Sequence, residues 1–146
     1  MLLRPATFTD SNAILNWRND PLTRAMSRDH AIVELENHQT WFAKALQDQT
    51  KILMIGEIDG RPIGLVRFDQ SKDGWEVGIN LNPHDRGKGQ GVELLRRAVR
   101  QFQMDHANQK LIAGIRPENT ASRKIFEACG FRWIDRRDEL DHFEAE

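Results

Sequence analysis

Three glycines at alternating positions, Gly87, Gly89 and Gly91, separate a strand-like segment that ends at Pro83 from an amphipathic helix. Apolar residues recur at helical spacing after the glycines: Val92, Leu95, Val99 and Phe102. Alternating glycines allow successive backbone N–H groups to point into one concavity, because no side chain blocks a ligand. The helix N-terminus adds its partial positive charge. The segment therefore predicts an anion-binding turn, with a flexible glycine turn as the alternative.

Two cations, Arg86 and Lys88, lie within this segment, so the anion that it suits best is a pyrophosphate. The segment lacks the Gly-Lys-Ser/Thr sequence of a P-loop, and its spacing differs from that of the dinucleotide-binding fingerprint. It also follows an antiparallel meander instead of opening a βαβ unit. These differences argue against both of the common nucleotide-binding folds.

The other apolar patterns predict a succession of strands and helices. Strand patterns cover residues 2–4, 51–58, 62–68, 75–81, 111–115 and 131–134, with a last short strand at 140–143. Helix patterns cover a segment around 14–17 that Asp20-Pro21 ends, then 35–46, the region from the glycines to Asn108, and 117–129. Hairpins followed by strand–helix–strand units predict an α+β fold, with a mixed, mostly antiparallel sheet and helices on both faces. We expect one domain over residues 1–146.

The overall charge excludes some kinds of partner. The formal net charge is −1, so no global field attracts nucleic acid or an anionic membrane, and no apolar run is long enough to span a bilayer. Cys129 is the only cysteine, which excludes a disulfide framework and a cysteine zinc site. We expect a cytoplasmic protein that binds a small molecule, without a metal.

Two sequence motifs resemble those of the GNAT superfamily of acetyltransferases. Residues 86–91, Arg-Gly-Lys-Gly-Gln-Gly, resemble the Arg/Gln-x-x-Gly-x-Gly/Ala loop of that family, and residues 76–83 resemble its fourth strand. Asn119-x-x-Ser122-x-x-x-Phe126 resembles its second cofactor motif. The motifs occur in the right order, and the resemblance covers nearly the whole chain. It implies an acetyl-CoA-dependent N-acetyltransferase that moves an acetyl group to an amine.

The resemblance also implies where acetyl-CoA binds. In this family the fourth and fifth strands splay apart, and the pantetheine arm lies between them against main-chain groups such as those of Ile79 and Leu81. The amides of residues 86–91 hold the pyrophosphate. The implied cofactor contacts are Ile79, Leu81, Arg86, Gly87, Lys88, Gly89, Gln90, Gly91, Asn119, Ser122 and Phe126. For Asn119, which would bond near the pantetheine or its sulfur end, a helix cap is an equal alternative.

The chemistry needs a base, because an aliphatic ammonium has a pKa near ~10 and must lose a proton before it attacks a thioester. Glu76 is the best candidate, and the alternative is a solvent-facing strand residue. His38 and His84 are secondary candidates, and Asn119 is the other residue expected at the reacting centre. The family usually places a tyrosine at the position of Phe126 to protonate the thiolate, and this chain has no tyrosine. Water or the outgoing ammonium proton would replace it.

The N-terminal third resembles N-acetyltransferases that modify a 4-amino group on nucleotide-linked deoxysugars. The resemblance rests on Trp-Arg-Asn at 17–19 and His-x-x-Trp at 38–41. It implies the acceptor contacts Trp17, Arg18, Asn19, His38 and Trp41, and a core position is the alternative for both tryptophans. A polyamine or protein N-terminus as acceptor, a non-catalytic acyl-CoA sensor, and a homodimer that covers an exposed sheet edge also remain open.

Overall fold

The computed structural model describes residues 1–145 and shows seven strands and five α-helices in that range. The strands are β1 (Leu2–Pro5), β2 (Lys51–Ile58), β3 (Arg61–Ser71), β4 (Gly74–Leu81), β5 (Leu111–Ile115), β6 (Phe131–Arg137) and β7 (Leu140–Ala145). The helices are α1 (Ser11–Asn19), α2 (Pro21–Met26), α3 (Leu35–Gln47), α4 (Gln90–Asp105) and α5 (Thr120–Ala128). In this range no helix combines the length and the apolar character that a membrane crossing requires.

All strands join one sheet in the order β1-β2-β3-β4-β5-β7-β6, and every pair is antiparallel except β4 with β5. Two hairpins turn through two residues with positive φ, Asp59-Gly60 and Asp138-Glu139. Such turns match the right-handed twist of paired strands. The predicted mixed, mostly antiparallel sheet is confirmed.

The two faces of the sheet are covered by different helices. On one face, Leu94, Leu95 and Phe102 of α4 pack with Phe68 of β3 in the larger core cluster. On the other face, α1 and α3 contribute Trp17, Ala45 and Phe42, which pack with Ile55 and Leu65. The prediction of helices on both faces is therefore confirmed.

The parallel pairing of β4 with β5 is very short. In the described chain the two strands pair only at Trp75 with Leu111 and at Glu76 with Ile112. Beyond those pairs, residues 77–81 of β4 keep their partners on β3 but have no ladder on the β5 side. The separation leaves main-chain N–H and C=O groups of β4 free to bond to a ligand.

Two segments differ from the sequence prediction. Asp20-Pro21 ends α1 as expected, but Pro21 also starts α2, because proline is tolerated at the first helical position and Asp20 caps the helix through Thr23 N (3.1 Å). The last strand is not a marginal edge. β7 lies between β5 and β6, and its Phe143 is buried.

An ion pair between a buried carboxylate and an exposed arginine holds the turn that leads into the glycine segment. Asp85 ends a 3₁₀ turn at Pro83–Asp85, and its side chain is fully buried. Arg61, at the start of β3, donates to both of its carboxylate oxygens at 2.7 and 2.8 Å. These bonds hold the pKa of Asp85 below its usual range. The pair therefore anchors the turn at residues 83–85, which follows β4, to the start of β3.

We expect Asp85→Asn to lower the melting temperature at neutral pH. A carboxylate with a depressed pKa stabilises the fold fully above its unfolded pKa of about 3.9, and that stabilisation is lost as the pH falls through the folded pKa. The difference in melting temperature from wild type should therefore be largest near neutral pH and shrink in acid. Circular dichroism melts at several pH values measure it. Asp138→Asn in the exposed hairpin is the control, and a difference that does not change with pH would contradict the assignment.

Candidate active site

The gap between β4 and β5 leads into a cavity of about 560 Å³. β4 lines it from Val77 to Leu81, and β5 contributes Gly114 and Ile115. The remaining wall comes from α1, α2, β3, α5, β7 and the turns between them. The cavity thus occupies the position where the two strands have lost their pairing.

Part of the predicted cofactor set lines this cavity. The residues on its wall are Ile79, Leu81, Arg86, Gly87, Asn119, Ser122 and Phe126. The other members, Lys88, Gly89, Gln90 and Gly91, follow Gly87 along the turn and into the start of α4, outside the cavity wall. The predicted set therefore divides between the cavity wall and the turn at its end.

The glycine segment has the backbone that the sequence pattern requires. Gly87 and Gly89 have φ of 74° and 75°, a left-handed conformation that favours glycine. Gly91 is needed for another reason, because a Cβ there would lie 2.8 Å from Cδ1 of Ile125 and 3.0 Å from Cδ1 of Leu81. α4 begins at Gln90, so the N–H groups of its first turn have no intrahelical acceptor.

Asn119 and Ser122 meet at the start of α5. Oδ1 of Asn119 accepts a hydrogen bond from the backbone N–H of Ser122 at 3.1 Å, so Asn119 is the cap of this helix. Both residues also line the cavity. The cap uses the side-chain oxygen and leaves the NH₂ group as the donor that Asn119 can offer a ligand.

Phe126 occupies the position where the family motif usually has tyrosine. Its side chain is 2% exposed and packs edge to face against Phe131, with ring centroids 5.0 Å apart. It nevertheless forms part of the cavity wall. This position therefore supplies an apolar surface and no proton donor.

Glu76 lies on the sheet face opposite to α4. Trp75 and Val77 point into the α4 core cluster, and side chains alternate along a strand, so Glu76 faces the side of α1 and α2. Its Oε1 accepts a hydrogen bond from Nη2 of Arg28 at 2.9 Å. Glu76 is outside the cavity wall, whereas Arg28 is part of it.

Arginine dominates the charged groups of the cavity wall. Five arginines line it, and Asp29 is the only carboxylate among the lining residues of the described chain. The arginines are Arg18, Arg28, Arg67, Arg86 and Arg116. Nη2 of Arg18 donates to the carbonyl of Asp29 at 2.9 Å, while Nη1 is buried without a partner within residues 1–145. An unpaired buried donor is costly, which makes this nitrogen a good partner for a ligand acceptor.

Most residues predicted to bind the acceptor lie elsewhere. Trp17 and His38 are each 4% exposed and belong to the core, which differs from the sequence prediction. His38 stacks on Phe42, and burial lowers its pKa. Asn19 is occupied by the backbone of Val33, bonding its N–H at 2.8 Å and its carbonyl at 2.9 Å.

The remaining acceptor candidates divide between the wall and its surroundings. Trp41 is outside the cavity wall, under the guanidinium of Arg67 at 5.1 Å. Arg18 alone of the predicted acceptor contacts lines the cavity. Sequence reasoning missed Arg28, Arg67 and Arg116, which belong to no local motif and converge only in the folded chain.

Comparisons with known proteins agree with this geometry. The family model described as an acetyltransferase (GNAT) domain matches residues 1–132. An L-amino acid N-acyltransferase of Escherichia coli strain K12 is 29% identical over 140 residues, which cover 90% of this chain and 79% of that protein.

Two solved structures show the same fold. A ribosomal-protein-alanine N-acetyltransferase from Brucella melitensis is 23% identical with a TM-score of 0.81, over 99% of this chain and 97% of that one. The aminoglycoside acetyltransferase AAC(6′)-Ib in complex with ribostamycin and coenzyme A is 21% identical with a TM-score of 0.83, over 98% and 91%. The chain belongs to the GNAT acetyltransferase family and is an N-acyltransferase that uses acetyl-CoA as its acyl donor.

Proposed function

We propose that the chain transfers the acetyl group of acetyl-CoA to the primary amine of an acceptor that also carries an anionic group. The observation behind this proposal is the set of five arginines on the cavity wall. Four of them already pair with carboxylates, and the fifth, Arg18, keeps Nη1 buried without a partner within residues 1–145. An unpaired guanidinium attracts carboxylates and phosphates, and it disfavours polycations such as polyamines and aminoglycosides. The 4-amino group of a nucleotide-linked deoxysugar meets this requirement, since its diphosphate is anionic, and it is the acceptor we propose first.

The residues of the cleft suit acetyl-CoA. The free main-chain groups at Ile79 and Leu81 match the amides of a pantetheine arm, as the ladder to β5 has ended before them. The open left-handed turn at Gly87 and Gly89 and the start of α4 match a pyrophosphate. We propose that these backbone groups, with the NH₂ of Asn119, hold the donor.

We propose that Glu76 takes the proton of the acceptor ammonium, directly or through a water molecule. It lies at the last β4–β5 pair, where the cleft begins, and on the sheet face that α1 and α2 cover. The amine then attacks the thioester carbonyl, and the amide N–H of Ile79 or Leu81 stabilises the oxyanion. Because Phe126 has no hydroxyl, the leaving CoA thiolate takes its proton from water or from the ammonium that forms when the amine attacks.

A second acceptor class is the α-amino acids. The observation that favours it is the 29% identity with an L-amino acid N-acyltransferase over 90% of this chain. The carboxylate of an amino acid would use the same arginines, and Nη1 of Arg18 is the donor that lacks a partner in the described chain. A sugar nucleotide and an amino acid thus both carry the negative charge that we expect the arginines of the cavity to bind.

Other expectations from the sequence remain proposals. We propose a single domain over residues 1–146, since one sheet takes strands from both ends of the described chain. We also propose a cytoplasmic location. A homodimer through the edge strand β6 is supported by the exposure of Trp133 and Ile134.

The direct test is a thiol-release assay with acetyl-CoA against UDP-4-amino-sugars, L-amino acids, polyamines and N-terminal peptides. CoA binding is measured by calorimetry beside it. We expect turnover on an anionic acceptor and little on polyamines. CoA binding without turnover on any of these acceptors would contradict the proposed acceptor classes, and turnover mainly on polyamines would contradict the anionic acceptor.

Gly89→Asp should weaken CoA binding. Its carboxylate would project into the open space beside the turn and repel the pyrophosphate. Gly89 caps the N-terminus of α4, so the helix holds the new carboxylate in that place. We expect the Kd for CoA to rise by at least about tenfold, measured by calorimetry. Gly60→Asp in the β2–β3 hairpin is the matched control, because Gly60 has a similar φ of 76° and equally open surroundings. Equal affinity in both variants would place the pyrophosphate elsewhere.

Phe126→Tyr should fold normally and keep or modestly raise turnover. The added hydroxyl would supply the proton donor that the family usually has at this position, and the residue already borders the cavity. Steady-state kcat and a melting curve test it. A collapse of kcat in a variant with wild-type melting temperature would show that the apolar wall is itself required.

A further inference from the structure

The helix α2 has no hydrophobic anchor of its own. It spans six residues, Pro21–Met26, and none of these described residues is buried. An isolated helix of this length is unstable in water, so contacts with other elements must hold it. Its position matters, because Leu22, Thr23 and Met26 form part of the cavity wall.

An arginine from the glycine segment holds the N-terminus of α2. Nη2 of Arg86 donates to Oδ2 of Asp20 at 2.6 Å and to Oγ1 of Thr23 at 2.8 Å. The same Oδ2 of Asp20 caps α2 by accepting from the backbone N–H of Thr23. The hydrogen bond from Arg86 holds the pKa of Asp20 below its usual range, so the carboxylate is charged at neutral pH. Both side chains are mostly shielded, with 33% and 19% exposed.

A second arginine holds the C-terminal end of α2. Arg116 follows β5 directly, and its Nε donates to the carbonyl of Ser27 at 3.0 Å. Its Nη2 lies 3.4 Å from the carbonyl of Arg28. Both carbonyls lie just beyond Met26, where the backbone is already extended, so the guanidinium of Arg116 fixes the segment that leaves α2. Arg86 follows β4 and Arg116 follows β5, so the two sides of the cleft each send one arginine to α2.

We propose that Arg86 and Arg116 are positioning residues that hold α2 across the mouth of the cleft. They connect α2, which forms part of the acceptor side of the cavity, to the segments that follow β4 and β5 on the two sides of the acetyl-CoA site. In this arrangement the Arg86 side chain serves Asp20 and Thr23, and the phosphates rely on the backbone amides of the glycine segment. The inference deepens the proposed function and rests on α2 forming the acceptor side of that site.

The brace has a consequence for the order of events. A pyrophosphate bound to the amides of residues 87–91 steadies the backbone of Arg86, and through Arg86 it steadies the N-terminus of α2. We therefore expect CoA to protect the amides of α2 from hydrogen exchange, with Arg86 as the link between the phosphates and the helix. The protection should disappear when the guanidinium of Arg86 is removed.

The test uses Arg86→Met, which removes the guanidinium and keeps a long apolar side chain, and the rescue variant Arg86→Lys. In the Met variant we expect the exchange of amides 22–27 to rise by about tenfold or more, with or without CoA. The calorimetric Kd for CoA should change by less than about threefold, because in this arrangement the backbone amides of the glycine segment hold the phosphates. Arg86→Lys should recover part of the protection, because an ammonium still reaches Asp20. Arg116→Met should accelerate exchange at amides 25–28.

The control is Arg97→Met on α4, whose guanidinium bonds to Glu93 and to the carbonyl of Met1 far from α2. It should alter neither exchange in α2 nor CoA affinity. A Kd for CoA that rises by about tenfold in Arg86→Met, with α2 exchange unchanged, would make Arg86 a phosphate ligand and overturn the proposal. Unchanged exchange in both the Arg86 and the Arg116 variants would also overturn it.

Kinetics separate positioning from a general loss of stability. With an acceptor from the turnover panel, Arg86→Met should raise the acceptor KM and leave the acetyl-CoA KM unchanged. A fall in kcat with both KM values unchanged would contradict the brace. Hydrogen exchange is also measured on the protein without ligands, so the test of the brace does not depend on which acceptor the enzyme uses. If the wild-type protein did not bind CoA, calorimetry on the wild type would show it before any variant was compared.

Discussion

The end of the ladder between β4 and β5 is the constraint on which the site depends. β4 is paired along its whole length with β3, and β5 is paired from Ile112 to Ile115 with β7. Each strand therefore keeps a different antiparallel neighbour beyond Glu76 and Ile112, where the ladder between β4 and β5 ends. The free edge of β4, the cavity and the approach to the glycine segment all follow from this separation.

The charged residues of the cavity differ in balance from those of the chain as a whole. The formal net charge is −1, yet five arginines and one carboxylate line the cavity. Four of the arginines pair with carboxylates outside the lining, and Arg18 donates to a main-chain carbonyl, so these bonds hold the wall together. The same residues thus stabilise the site and set its electrostatic preference, so substitutions there will affect packing and ligand choice together.

Much of the fold was predictable because its signals are local. The two-residue hairpin at Asp59-Gly60, the positive φ at Gly87 and Gly89 and the apolar stripe of α4 all depend on neighbouring residues. The mixed sheet and the placement of helices on both faces followed from the order of these elements. The role of Asn119 as a cap could also be anticipated from its place before α5. The short helix α2 was missed, because Asp20-Pro21 ends one helix and begins the next with the same two residues.

The acceptor side could not be predicted in the same way. Trp17 and His38 were predicted to bind the acceptor because the motifs around them resemble those of related acetyltransferases, but the packing of α1 against α3 buries both side chains. Arg28, Arg67 and Arg116 carry no motif and meet only when β3, β5 and the segment after α2 come together. The strand–glycine–helix unit follows from local sequence, because it depends on backbone freedom and on spacing within a few residues. Which charges line the cavity follows only from the folded chain, because their distances depend on contacts between segments far apart in the sequence.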